Sequence, residues 1–259
     1  MTADPDPWIR AVRSSHERLA AVVAARRAPI DGPSACSEWT VAQVLSHVGS
    51  GAQIFDLFLT AGLKGQEAPT SEAFGPIWES WNAKDPAQQV DDALVADAAF
   101  VERLEGLSAA ERAAFALDLF GMQLDLAGLL RMRLGEAALH TWDVEVAGDP
   151  SATVSAEAVD LLVDGLPQLV ARAGQPQEGV TPVTLVTSGP SRAFLLVPSA
   201  VRLEPLDPGD SIEPPTVRLP AEALLRLVYG RLDADHPAHG EVRGDGASVA
   251  DLLVLFPGF

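Results

Sequence analysis

Cysteine is nearly absent. Cys36 is the single one in 259 residues, so no disulfide can close within the chain, and a reducing, cytoplasmic setting is expected. Lysine is scarce too: Lys64 and Lys84 are the only two, and every other cation is arginine. No basic tract offsets a net charge of −18. A chain of that sign repels a phosphate backbone or an anionic bilayer surface, so neither nucleic acid nor membrane is an expected partner. Apolar runs break well before the roughly 18 residues a bilayer span needs. The opening MTADPDPWIR shows neither the basic nor the apolar block of a secretory signal. The cysteines of a closed structural zinc site are missing as well.

What is present is ordinary globular usage, with 47% apolar and 21% charged residues. The length suits one large domain or two modest ones. Residues 7–28 carry a helical apolar stripe (Trp8, Ile9, Val12, Leu19, Val22, Val23), with Pro7 fitting a first turn. Asp31-Gly32-Pro33 ends it. Ser37 is placed to cap a second helix that runs to about Leu59 and includes His47. Residues 62–85 read as loop, and their Phe74, Trp78 and Trp81 are either a lid over a pocket or plugs at one end of a bundle. A third helix spans about Pro86 to Leu104, and Ser108 to Glu111 is a capping-box pattern. A fourth runs from after Gly121 to about Ala147, stopped by Gly148-Asp149-Pro150.

Four long helices predict an all-α bundle over residues 1–149. The texture then changes. A helix at Ala156–Leu166 precedes β-like runs at Val183–Thr187 and Ala193–Val197, with further strands at Val201–Glu204 and Thr216–Leu219. Helices at Ala221–Tyr229 and Ala247–Leu255 complete a small α+β domain over residues 150–259.

The chemistry concentrates in RMRLGEAALHTWDVEVA, residues 131–147. Glu136 and His140 stand four apart, one turn along the same helix face, where a carboxylate and an imidazole can converge on one ion. His47 is the third candidate ligand, since it too lies in a Pro-free apolar helix. The bland alternative is a pair of satisfied core histidines. Two His and one carboxylate would leave a coordination position open, as catalytic sites do, and they suit zinc, iron, nickel or manganese. Asp143 is either placed to hold the tautomer of His140 or a solvated carboxylate near the helix end. Of the other histidines, His16 lies between Ser15 and Glu17 and reads as solvated, while His236 and His239 fall in a turn-rich stretch. Cys36 has no paired base in the sequence and reads as packing, and Trp39 and Trp142 are either pocket walls or core.

Two stretches carry a family resemblance. CSEWTVAQVLSHV resembles the signature W-T-V-x-x-L-x-x-H of the mycothiol-dependent maleylpyruvate isomerase family, and RMRLGEAALHTWDVEVA resembles its second signature. The family's metal-ligand positions fall on His47, Glu136 and His140. The end of the chain, from LPAEALLRLVYGRLDAD onward, is similar to that family's sterol-carrier-like domain. The resemblance implies a DinB-like four-helix bundle with a divalent metal, commonly zinc, and mycothiol as cofactor. It implies either cis-trans isomerisation of maleylpyruvate-like acids by reversible thiol addition or thiol S-transfer to electrophiles. An arginine of the second domain is expected to bind a substrate carboxylate; Arg231 matches best, with Arg226 second. The competing expectation is a metal- or small-molecule-binding protein on the same scaffold, without thiol chemistry.

Overall fold

The computed structural model describes residues 4–36 and 38–258, so the expected cap at Ser37 lies outside the described residues. The chain separates into two compact units, Met1–Ala152 and Thr153–Phe259. The first is helical and the second holds a sheet with helices.

In the first unit α1 (Asp6–Ala25) starts with Pro7 in its first turn, where the missing N–H costs nothing. α2 (Val41–Lys64) is capped by Thr40, whose hydroxyl accepts from the Gln43 N–H while the Gln43 side chain accepts from the Thr40 N–H. This reciprocal capping box fixes where α2 begins and therefore the phase of every residue along it. Residues 62–85, expected as loop, contain α3 (Gly75–Asn82). Its Trp81 is buried and lies against Gly49 of α2, where a Cβ would stand 2.2 Å from the ring. Phe74 is buried too, while Trp78 stays exposed. The first two are plugs, because their rings fill the bundle's own core.

α4 (Pro86–Glu105) opens on an Asp85–Gln88 capping box and α5 (Ala109–Ala114) on the expected Ser108–Glu111 box. A hairpin not foreseen in the sequence follows: β1 (Leu117–Leu119) pairs antiparallel with β2 (Met122–Leu124). Its two-residue turn places Phe120 and Gly121 at positive φ, the conformation that matches hairpin twist. α6 (Leu126–Val146) then starts from an Asp125 cap. α1 packs on α4 and α6, and α2 packs on the same two. The four long helices thus form a closed ring α1–α4–α2–α6. α6 is buried on nearly every side, including at Arg133, His140, Thr141 and Asp143. Polar groups that deep are tolerated only when partnered.

In the second unit the expected helix at 156–166 is α7 (Ala156–Leu162), a 3₁₀ turn, and then α8 (Leu166–Ala173), because Pro167 starts a new helix. A five-stranded sheet runs in the order β5–β4–β3–β6–β7. β3 (Val183–Ser188), β4 (Ala193–Val197) and β5 (Arg202–Pro205) form an antiparallel meander, and β6 (Thr216–Pro220) joins β3 in parallel. α9 (Ala221–Val228) follows β6 directly. β7 (Arg243–Asp245), unforeseen in the sequence, pairs with β6, and α10 (Ala250–Leu253) is shorter than expected. Leu185, Phe194, Leu196, Leu203, Val217 and Leu219 are all buried. Period-2 alternation puts them on one face, the side on which α8 and α9 pack.

Candidate metal centre

The cap at Thr40 sets α2 so that His47 projects toward α6, and helical spacing puts Glu136 and His140 one turn apart on the facing side. One carboxylate oxygen, Glu136 Oε2, lies 3.0 Å from His47 Nε2 and 3.5 Å from His140 Nε2. One ligand atom from each of the three residues falls within 4.8 Å of the others. Donors bound tetrahedrally at about 2.0–2.1 Å stand roughly 3.3 Å apart, so the set fits a small divalent cation without rebuilding either helix. His47 and Glu136 are 34% and 42% exposed, whereas His140 is buried. The set is open to solvent on one side and closed by protein on the other.

His140 is held from behind. Its Nδ1 is 2.8 Å from Oδ2 of Asp143, which is fully buried. An ionised carboxylate can only accept, so Nδ1 carries the proton and Nε2 faces His47 and Glu136. Burial works against the charged forms here, and the partners overcome it. Desolvation would lower the His140 pKa, but hydrogen bonds and charges from Asp143 and Glu136 lift it to about 9. Desolvation would likewise raise the Glu136 pKa, but His140 and His47 hold it well below the usual carboxylate range. The Glu136 carboxylate and the His140 imidazolium therefore form an ion pair within the set.

Trp39 roofs this cluster. Its ring centroid is 5.3 Å from that of His47 and 6.4 Å from that of His140, and the residue remains 37% exposed. Trp142, by contrast, is core: it is buried and its indole N–H donates to Ala152 O. Cys36 packs against the bundle core as expected, but it also has neighbours the sequence did not show. It belongs to a second set, with His140 and Asp143, whose ligand atoms also lie within 4.8 Å of one another. The loop that carries it is tied to α6 by the Ala35 N–H, which donates to Asp143 O. Cys36 thus borders His140.

A second polar cluster lies inside the bundle. Arg133, one turn before Glu136, bonds Asp97 Oδ1 at 2.5 Å, and both are almost completely buried. His16 Nδ1 lies 3.0 Å from the other Asp97 oxygen with its side chain only 17% exposed, which overturns the solvated expectation. Phe55 and Phe100 flank the guanidinium at 5.7 and 5.9 Å. The signal for this cluster was an acid inside the apolar run ALVADAAF, together with an Arg on an otherwise buried helix.

In the second unit the two candidate arginines differ sharply. Arg226 is fully buried, bonds Glu222, and donates to the carbonyls of Arg231, His236 and Pro237. It stitches the 231–237 loop to α9, so the second-choice role of carboxylate clamp does not fit it. Arg231 is half-buried, and its guanidinium donates to Tyr229 O.

Comparison with known proteins bears on these helices. Residues 12–145 match the family described as mycothiol maleylpyruvate isomerase N-terminal domain. No curated protein matches the chain significantly. Among solved structures, the mycothiol-dependent maleylpyruvate isomerase aligns with 14% identity and a TM-score of 0.64, covering 90% of this chain and 93% of that one. A histidine-to-alanine mutant of that isomerase aligns equally well, with 92% of its chain covered. At that identity the structural likeness speaks for the fold alone. The sequence match spans both helices that carry His47, Glu136 and His140, and by it the chain belongs to the mycothiol maleylpyruvate isomerase N-terminal domain family.

Proposed function

We propose that this protein is a divalent-metal-dependent enzyme that uses mycothiol, as a cis-trans isomerase of maleylpyruvate-like acids or as a thiol S-transferase to electrophiles. The observation that carries it is the three-donor set on α2 and α6, with His140 fixed by Asp143 and one side open. His47, Glu136 and His140 hold the ion, for which zinc is our choice. A divalent ion there would supply the low thiol pKa that nucleophilic addition needs at neutral pH.

The chain's own residues do the rest. Asp143 keeps Nε2 of His140 turned to the site, and Trp39 gives the open side an apolar wall that limits water. Arg231 is our candidate for the substrate carboxylate, because a guanidinium can pair with it in two parallel hydrogen bonds. We take the first unit as a DinB-like bundle and the second as a sterol-carrier-like domain, with the division at 149/150. The family match supports the thiol and the substrate class, and the likeness to the mycothiol-dependent isomerase supports the fold.

The test is direct. Purified protein should carry about one equivalent of divalent metal, and His140→Ala should lose it while the bundle stays folded. Mycothiol with maleylpyruvate, and then with a panel of electrophiles, should give trans product or thiol consumption. Full metal content in the variant would refute the ligand set. Metal binding without turnover on any substrate would leave a metal-binding protein and refute the enzyme.

A further inference from the structure

A cavity of about 240 Å³ opens in the first unit between the second half of α1, the start of α2 and the end of α6. None of His47, Glu136, His140 or Trp39 lines it. Its wall is apolar, built from Val22, Val41, Leu45 and Val144, and it reaches the hydrophobic cluster at that end of the bundle. Its mouth is cationic. Arg18, Arg26 and Arg27 line it against a single acid, Glu145, in a chain with 18 basic and 36 acidic residues. The sign of the charge is thus inverted locally, and such an inversion draws an anion to an otherwise repelling surface.

The three arginines are not equivalent. Arg18 is bound to Glu145 at 2.6 Å, and Arg27 to Asp149 at 3.0 Å. Arg26 pairs with no acid among the described residues. It also ends α1 in the left-handed conformation, at φ 48°, where glycine is the usual occupant. Gly148, just past the end of α6, holds this turn close: a Cβ there would stand 2.6 Å from the Arg27 side chain and 2.9 Å from its backbone. The rim is therefore built tightly, with one guanidinium left over.

We propose that this cavity binds a free organic acid with an apolar tail, its carboxylate on Arg26 and its tail against Val22, Leu45 and Val144. The volume lies below the roughly 300–1,000 Å³ of drug-sized sites, so the occupant is a small, medium-chain acid. The net charge of −18 argues against the same headgroup presented by an anionic bilayer.

Decanoate titrated into the full-length protein by isothermal calorimetry tests this, with decanol as the uncharged control. Saturable one-to-one binding is expected for decanoate, and affinity at least about tenfold weaker for decanol. Arg26→Glu, which reverses the rim charge, and Ala21→Trp, which fills the mouth, should each weaken decanoate about tenfold or more. Both positions are exposed, so metal content and helix signal should not change. No saturation below the micelle concentration would overturn the proposal. So would equal affinity for the wild type and both variants, which would place the acid elsewhere.

Discussion

The Nδ1 atom of His140 lies 2.8 Å from Oδ2 of Asp143, and Asp143 is closed off from solvent. Three residues apart on α6, the two form a unit in which the acid fixes the ring and leaves Nε2 to the site. Asp143→Asn keeps the shape but removes the charge that makes the imidazole a strong donor. Metal affinity, read by competition with a chromophoric chelator, should fall about 10–100-fold while the helix content holds. Unchanged affinity would remove Asp143 from the site.

Proton release provides a second check. In the metal-free chain burial opposes the His140 imidazolium, and Asp143 and Glu136 overcome it and lift its pKa to about 9. A raised folded-state pKa means the stabilisation is complete below the unfolded value of about 6.5 and is lost as pH rises through about 9. Metal-free protein should therefore lose stability in alkali, and metal-loaded protein should not lose this contribution. Near neutral pH, metal uptake should expel about one proton. Calorimetry in buffers of different ionisation enthalpy measures it, and an uptake with no proton release would contradict the ligand role of His140.

Much of the centre was legible because helical spacing is local. Glu136 and His140 share a face by arithmetic, and His47 stood out as an imidazole in an apolar helix. The capping box at Ser108 was legible for the same reason. What escaped depends on partners distant in sequence. His16 looked solvated between Ser15 and Glu17, but its partner Asp97 is 81 residues away. Cys36 does pack against the core, as read, but its place beside His140 depends on a helix far along the chain. Likewise α3 hid in a Gly- and Pro-rich segment, since its stability comes from Trp81 seated on Gly49 rather than from helix propensity.

Asp97 and Arg133 should matter to the fold and not to the metal. Burial works to raise the Asp97 pKa, and the Arg133 charge and the His16 hydrogen bond hold it below the usual value. A depressed folded-state pKa contributes stability above the unfolded carboxylate range of about 4, lost as pH falls through the lower folded value. Asp97→Asn leaves Arg133 as an uncompensated buried cation and should cost about 3–5 kcal/mol, read from the urea midpoint. It should also flatten the loss of stability in acid below about pH 4. A variant as stable as the parent, with the same acid limb, would show that the pair does not hold the bundle.

The two candidate arginines of the second unit should separate into a structural and a functional residue. Arg226 lies in a cage of Glu222 and three carbonyls. Arg226→Met strands those carbonyls and the partly buried Glu222, so unit two should lose about 3–5 kcal/mol whatever the substrate. Arg231 is half-buried, and its guanidinium donates to the carbonyl of Tyr229 at 2.8 Å. Arg231→Gln should leave the unfolding midpoint and the metal content near the parent values. Its effect should appear in KM for a carboxylate substrate, where losing a charge-assisted hydrogen bond of about 1.5–3 kcal/mol raises KM roughly 10–150-fold. Arg231→Lys should recover only part of that, since an ammonium cannot offer the paired fork. If Arg231→Gln instead unfolds the unit and spares KM in whatever remains folded, then Arg231 is a second stitch in the loop and the substrate carboxylate is held by another group.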